Sequence, residues 1–189
     1  KASLGLLNTT TFTIFIRGDR SNEGPSGYRM RESILGDFIN TNPVFAKESA
    51  DLDNTKIPTL GNSYGAYINS VKKTRFGVLY VGGNDGMLHG FKETRGATPS
   101  EDGKEVFAYV PRAIYPTLSN LASRTYGSVD NYHTYYVDGP LRESDVWVTS
   151  PASGPAGWRN YLFGSLGAGG RGVYALDITD PSNLGVNTI

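Results

Sequence analysis

The chain has 189 residues, enough for one domain with a sizeable core, and its 18 basic and 18 acidic side chains balance to zero net charge. That balance gives no electrostatic reason to expect nucleic acid or an anionic membrane surface as a partner. The lack of cysteine excludes disulfides, thiolate zinc sites and thiol nucleophiles, and no apolar run is long enough to span a bilayer.

The first 75 residues predict an irregular leading segment that contains a strand and a helix. Residues 10–16 are β-branched and aromatic, which predicts a strand. Residues 31–40 fit either a short helix or a strand, and residues 44–46 look extended. Apolar side chains at helical spacing predict a helix over residues 64–75, with a polar cap at residues 62–63.

The most regular pattern in the chain is a Gly-rich hairpin over residues 78–91. Two apolar runs flank an Asn-Asp-Gly turn, in which Gly86 can take a positive φ without a Cβ clash. Residues 78–81 are apolar at every position, which predicts a strand buried on both faces. Residues 166–176 align to residues 81–91 without a gap, and such a repeated hairpin favours a β-propeller over an isolated hairpin.

The second part of the chain predicts more short strands and one helical turn, which begins near Pro116. The further predicted strands are residues 105–110, 133–137, 145–149, 161–164 and 172–178. Residues 76–189 therefore predict about two blades with inserted loops, within one mostly β domain that has a few short helices. A closed propeller needs at least four blades, so we expect the remaining strands, or a partner that covers the sheet edges, outside this sequence.

Four segments, in this order, resemble the C-terminal domain of the PilC/PilY family, large proteins at the tip of bacterial type IV pili. They are residues 16–23, residues 33–44, residues 80–91 with 107–116, and residues 136–140 with 166–177. The resemblance implies a modified β-propeller with quinoprotein-like blades, and a non-enzymatic role in pilus biogenesis, retraction control and adhesion. It also implies minor pilins and a host-cell receptor as partners, and export to the pilus tip, cell surface or outer membrane of a Gram-negative bacterium.

Calcium is a further implication of the resemblance, because the family carries an Asp-rich loop downstream of the Gly-rich repeat. The nearest local candidate is residues 51–55, which read Asp-Leu-Asp-Asn-Thr. An EF-hand-like loop that starts at Asp51 needs glycine and a bidentate acid where this sequence has Lys56 and Asn62. We therefore predict no metal site within this chain, and calcium only in the full-length family domain.

Arg17-Gly18-Asp19 is the integrin-recognition tripeptide and is the candidate binding site. An exposed tip that presents a guanidinium and a carboxylate can bridge an acidic pocket and a receptor-bound metal ion. The alternative is structural, with Arg17 and Asp19 paired locally where a strand ends. Receptor binding requires the side chains of Arg17 and Asp19 to be exposed, whereas a local ion pair does not.

The remaining motifs have simpler explanations. The Gly-rich residues 166–172 resemble a phosphate-binding loop, but they precede a strand-like run instead of a helix, which indicates a strand connection. His89 and His133 are far apart and lack a convergent acidic pattern, so His89 is predicted to be an ordinary strand residue. Asp138 and Asp177 end predicted strands, where Asx turns explain them.

The alternative function is that of a dehydrogenase dependent on pyrroloquinoline quinone, because the hairpin also resembles the quinoprotein repeat. Those enzymes usually carry many docking tryptophans and often a vicinal disulfide, whereas this chain has Trp147, Trp158 and no cysteine. No set of catalytic residues stands out. The tyrosines of residues 126–136 fit either a sheet face or an interface.

Overall fold

A computed structural model of the chain describes residues 10–151 and 154–184. The described part consists of two antiparallel sheets and several short helices. The strands are β1 (Val44–Ala46), β2 (Gly77–Gly82), β3 (Leu88–Glu93), β4 (Glu105–Tyr109), β5 (Leu141–Val148), β6 (Gly157–Ser165) and β7 (Val173–Asp177). The α-helices are α1 (Thr10–Ile16), α2 (Gly61–Tyr67) and α3 (Tyr115–Leu118). Single turns of 3₁₀ helix occur at Leu52–Lys56, Pro99–Glu101, Arg112–Ile114, Ser119–Ala122 and Gly167–Gly169.

Each sheet is a simple meander. The first has the strand order β1-β2-β3-β4 and the second β5-β6-β7, and every neighbouring pair is antiparallel. A four-stranded meander is the blade unit of a propeller, and the first strands of the two sheets, β1 and β5, lie beside each other. The predicted fold class, mostly β with a few short helices, is confirmed, and within the described residues the sheets do not close into a ring.

The repeated hairpin is confirmed, but its two copies have turns of different length. Residues 83–87 join β2 to β3, and Gly86 has the expected positive φ, +92°. Residues 166–172 join β6 to β7, so this turn has seven residues against five in the first. The gapless alignment is therefore wrong at the turn, where the second copy carries two more residues in a turn of 3₁₀ helix.

Residues 10–16 form helix α1, so the predicted strand is wrong. Phe12, Phe15 and Ile16 are buried, and their i, i+3, i+4 spacing places them on one face of a helix. Burial of that face in the main core outweighs the β propensity of the individual residues.

Three other predictions need correction. Residues 31–40 form neither a helix nor a strand. Residues 133–137 are not a strand either, because their backbone bonds to the β2–β3 turn instead of to a neighbouring strand. The strand at residues 78–81 was predicted to be buried on both faces. In β2, however, Leu79 is 39% exposed while Val81 is buried, so the face that these two residues share is only partly covered.

The helix predicted at residues 64–75 is confirmed with different bounds. It begins with α2 at Gly61 and continues into a wide π-helical turn at Ile68–Lys72. The predicted cap at residues 62–63 is wrong, since Leu60 occupies the N-cap position and no side chain caps the helix.

The apolar core has two parts. The larger one joins side chains of both sheets to those of α1 and of the helical stretch at residues 112–122. The smaller one packs the α2 region against β6, through Tyr64, Tyr67, Ile68 and Trp158.

A buried ionic network attaches the α2 region to the second sheet. Lys72 Nζ lies 3.0 Å from Glu143 Oε1 and 3.0 Å from both carboxylate oxygens of Asp145, and the Lys72 side chain is 1% exposed. The Tyr64 hydroxyl donates to Asp145 at 2.6 Å, and Asn160 Nδ2 donates to both acids at 2.9 Å. Burial and the hydrogen bond to Asp145 raise the pKa of Tyr64 to about 12, so its hydroxyl stays a donor at neutral pH.

Arg75 extends this network to the end of β7. Its Nη2 donates to Asn160 Oδ1 at 2.6 Å and lies 3.8 Å from Glu143 Oε1. Its Nη1 donates to the carbonyls of Ile178 at 2.8 Å and Thr179 at 3.1 Å. Two cations therefore face two carboxylates, so the buried charges compensate each other.

Lys72→Met is expected to lower the free energy of unfolding by about 3–5 kcal/mol, because two buried carboxylates lose their nearest cation. The matched control is Lys73→Met, an exposed neighbour that we expect to change stability by no more than about 0.5 kcal/mol. Urea-induced unfolding of the intact protein measures both. Equal effects of the two substitutions would show that the network does not stabilise the fold.

Candidate functional site

The tripeptide Arg17-Gly18-Asp19 forms the C-terminal cap of α1. Gly18 N donates to Phe15 O at 2.9 Å and Asp19 N donates to Ile14 O at 2.9 Å, which is the bonding pattern of a Schellman motif. Gly18 has φ +105°, a conformation that glycine adopts without a Cβ penalty. The tripeptide is therefore a turn that ends a helix, and not the end of a strand.

Both charged residues of the tripeptide are exposed. The Asp19 carboxylate accepts hydrogen bonds from Ser21 N at 2.8 Å and from Ser21 Oγ, and these bonds lower the pKa of Asp19. Asp19 is thus bonded to Ser21 and not to Arg17, so a local ion pair is not what stabilises the turn. Integrin recognition by the tripeptide stays a prediction.

Arg31 fixes the cap from the core side. Its Nη1 donates to Phe15 O at 2.8 Å and its Nη2 donates to Asp19 O at 2.7 Å. Its Nε donates to Glu23 Oε1 at 2.7 Å, and the guanidinium lies 3.9 Å from the centre of the Phe15 ring. Arg31 is buried, and sequence reasoning missed it because no motif or spacing connects it to the tripeptide.

Residues 36–42 connect the first hairpin turn to the start of the second sheet. Gly36 N donates to Asp85 Oδ2 at 2.8 Å. Asn40 donates to the carboxylate of Asp138 twice, from its backbone N at 3.1 Å and from Nδ2 at 2.6 Å. The carboxylate of Asp138 therefore bonds to a distant segment, and the predicted Asx turn is wrong there.

Asn84 joins the hairpin turn to two irregular segments. Its Nδ2 donates to Asp37 Oδ2 at 3.1 Å, its backbone N donates to Asp37 O at 3.1 Å, and its Oδ1 accepts from Tyr136 N at 3.0 Å. Asn84 is 3% exposed, so these partners satisfy a buried amide. Beside it, Val137 N donates to the first hairpin turn at 3.4 Å and Asp138 N donates to the second at 3.2 Å.

His89 lies between two carboxylates. Its Nε2 is 3.0 Å from Asp85 Oδ2 and its Nδ1 is 2.5 Å from Glu105 Oε1, and the side chain is 1% exposed. Burial acts to lower the pKa of His89, but the hydrogen bonds and charges of Asp85 and Glu105 outweigh burial and raise it. His89 is a strand residue, as predicted, but two acidic side chains converge on it that its neighbours in the sequence do not indicate.

An open groove of about 880 Å³ lies between α1, β4 and α3. Arg17 of the tripeptide and Glu105, the partner of His89, contribute charged groups to its lining. Its apolar lining includes Phe12, Ile16, Met87, Phe107, Tyr115 and Leu118. The groove therefore connects the two charged sites along one face of the molecule.

No group of three or more His, Asp or Glu side chains that could hold a metal ion occurs in residues 10–151 and 154–184. At residues 51–55, Asp51 accepts from Asp53 N at 3.0 Å and caps a 3₁₀ turn, while Asp53 pairs with Lys56 at 2.7 Å. Residues 166–172 lead into β7, as the predicted strand connection requires. In the part of the chain that the structure describes, no helix is long and apolar enough to cross a membrane.

The aromatic residues singled out from the sequence serve mainly in packing. Tyr136 is fully buried in the core, Tyr126 lies under the guanidinium of Arg29 at 5.0 Å, and Tyr132 is 72% exposed. They do not form a sheet face, because residues 126–136 contain no strand. Trp147 and Trp158 contact each other edge to face, with ring centres 5.7 Å apart.

Comparison with known proteins identifies the family. Residues 35–187 match the family model of the PilY1 beta-propeller domain. The chain belongs to the PilY1 β-propeller domain family. This result confirms the family resemblance, and it assigns the two meander sheets to a propeller.

Relatives with this domain are much longer proteins. A type IV pilus biogenesis factor PilY1 homolog of Xylella fastidiosa (strain Temecula1) is 42% identical over 173 residues, which cover 90% of this chain and 13% of that protein. Type IV pilus biogenesis factor PilY1 of Pseudomonas aeruginosa (strain PAK) is 39% identical over 170 residues, with the same two coverages. The crystal structure of the Pseudomonas aeruginosa PilY1 C-terminal domain also matches, with 33% sequence identity and a TM-score of 0.47. The match covers 75% of this chain and 23% of the chain in that crystal structure.

Gly18→Ala is expected to lower the free energy of unfolding by about 1–2 kcal/mol. At φ +105° a Cβ is strained, and it would lie 2.7 Å from Ile34 Cγ2. Gly96→Ala is the matched control, because Gly96 has φ +74° and a Cβ there would have no neighbouring atom within 4 Å. Urea-induced unfolding should show the smaller loss for Gly96→Ala, and a loss as large as that of Gly18→Ala would contradict a tight Gly18–Ile34 contact.

Proposed function

We propose that the chain is the propeller portion of a protein that supports type IV pilus biogenesis without catalysis, by binding other proteins. The observation that carries this proposal is 42% identity over 90% of the chain to a protein named as a type IV pilus biogenesis factor. The relatives are named for pilus biogenesis, which favours this function over a quinoprotein dehydrogenase.

The surface of the described residues supports a role in protein binding. Residues 30–39 expose several large apolar side chains on the irregular segment that borders the first hairpin turn. They are Met30, Ile34, Leu35, Phe38 and Ile39. Several exposed large apolar side chains within one short segment are consistent with a protein-binding surface.

The proposals for location and partners rest on the same family membership. We propose that the protein is exported to the pilus tip, the cell surface or the outer membrane of a Gram-negative bacterium. Minor pilins are the proposed partners, and control of pilus retraction is the proposed consequence of binding them. Calcium is proposed to bind the full-length protein outside this chain.

Deletion of the gene is expected to reduce surface pili and twitching motility, and the full-length wild-type gene should restore both. A gene with Lys72→Met should restore them poorly, because the substitution destabilises this domain, whereas Lys73→Met should restore them fully. Sheared surface pilin and the width of the twitching zone are the measurements. Unchanged pili and motility after deletion would contradict the proposal.

We also propose that the protein mediates adhesion through Arg17-Gly18-Asp19. The exposure of Arg17 and Asp19 supports this proposal, since a receptor can reach both charges. The bonds from Arg31 to the cap support it as well. A turn that is already rigid loses little conformational entropy when it binds a receptor.

Asp19→Asn is expected to weaken binding of the full-length protein to an immobilised integrin ectodomain by about tenfold or more, because a neutral amide binds a receptor metal ion poorly. The melting temperature should not change, since the Asn carbonyl can still accept from Ser21 N. The control is Asp130→Asn, which removes an exposed carboxylate elsewhere. Equal binding by the wild type and Asp19→Asn would leave the tripeptide as a helix cap only.

A further inference from the structure

The two carboxylates that contact His89 differ in how firmly they are fixed. Asp85 is 12% exposed in its side chain, and it also accepts hydrogen bonds from Gly36 N at 2.8 Å and Met87 N at 3.2 Å. Glu105 is 42% exposed in its side chain and begins β4, the outermost strand of the first sheet. Asp85 is thus fixed by backbone donors, whereas Glu105 can turn towards solvent.

The number of protons on His89 decides how many of these carboxylates it can bind. An imidazolium donates from both ring nitrogens, so it satisfies Asp85 and Glu105 together. A neutral imidazole donates from one nitrogen, and its other nitrogen turns a lone pair towards a carboxylate oxygen. Loss of the proton therefore leaves one of the two contacts repulsive.

The charged groups that face His89 are Asp85 from the turn and Glu105 from β4. Residues 36–42 present the uncharged ring of Phe38, with its centre 6.2 Å from that of His89. On the same strand as His89, the Phe91 ring is stacked at 5.9 Å. Loss of the His89 proton therefore weakens its contact with Asp85 or Glu105. Of these two side chains, the exposed Glu105 is the one that can move away.

We propose that His89 is a pH-sensitive contact that attaches the first residues of β4 to the sheet when it is protonated and releases Glu105 when it is not. The pKa of His89 is raised above its ordinary value of 6.5. The contact is therefore complete below about pH 6.5 and is lost as the pH rises through the higher, folded-state value. Release adds an unpaired carboxylate to the groove that Arg17 also lines.

The beginning of β4 is bonded to the sheet on one side only, where Lys92 N donates to Lys104 O at 2.9 Å and Gly103 N donates to Lys92 O at 2.9 Å. The register between β3 and β4 is irregular at Gly90 and Phe91, where Val106 has no partner across the ladder. On its other side, β4 has no neighbouring strand among the described residues. The loss of one strong side-chain contact should therefore increase local opening of this segment.

The test is hydrogen exchange of residues 103–109 in the intact protein from about pH 6 to about pH 9, corrected for the intrinsic exchange rate. We expect wild-type protection to fall by roughly tenfold, as the loss of one hydrogen bond between charged groups would give. His133→Gln, which changes the other histidine, should leave the fall unchanged. A wild-type protein without a pH-dependent change at residues 103–109 would overturn the proposal.

Glu105→Gln provides the second variant, because its exposed side chain makes loss of folding a small risk. The Gln amide can accept from an imidazolium through its oxygen, or donate to a neutral imidazole through its nitrogen. Protection at residues 103–109 should therefore become independent of pH. A pH-dependent fall in Glu105→Gln equal to that of the wild type would show that release of Glu105 is not its cause.

Discussion

Buried hydrogen bonds at the meeting point of the two hairpin turns hold the rest of the structure together. Asn84 and Asp138 are almost fully buried, and each binds a segment that has no secondary structure of its own. A buried polar group that loses its partner costs about 1–3 kcal/mol, so these segments have strong reasons to keep one conformation. The irregular residues 36–42 and 133–138 are therefore as much part of the framework as the strands.

The parts of the fold that local pattern decides could be predicted from the sequence. The β2–β3 hairpin follows from apolar strands around an Asn-Asp-Gly turn, and its repeat correctly indicated a propeller. Helix α1 was not predicted, because the apolar residues of 10–16 fit both the alternation of a strand and the spacing of a helix. Phe12 and Ile16 fit strand alternation, but Phe15 completes a helical face, and only the core shows which face is buried.

Residues 31–40 could not be assigned for a different reason. Their conformation is determined by hydrogen bonds to residues far along the chain, such as that from Gly36 to Asp85 and those from Asn40 to Asp138. Local propensity contains no information about such partners. The extra residues of the second hairpin turn were missed for a related reason, since glycines align equally well in several registers.

The candidate site was found only in part. The tripeptide is visible as a motif, but Arg31, which fixes it, and Glu105, which binds His89, are brought into place by folding alone. A buried arginine that bonds to the carbonyls of a helix end has no sequence signature, nor does a histidine between two acids at unequal separations. Chemistry that depends on such pairs becomes visible only in three dimensions.

The helix cap at Gly18 has a consequence for how surface motifs arise. Glycine is required there to end α1, whatever the protein binds, and the residues on either side of it are exposed. An arginine before the glycine and an aspartate after it can therefore be acquired or lost through changes at two surface positions, at little cost to folding. A lineage can in this way gain or discard a short recognition sequence while the helix end that presents it stays the same.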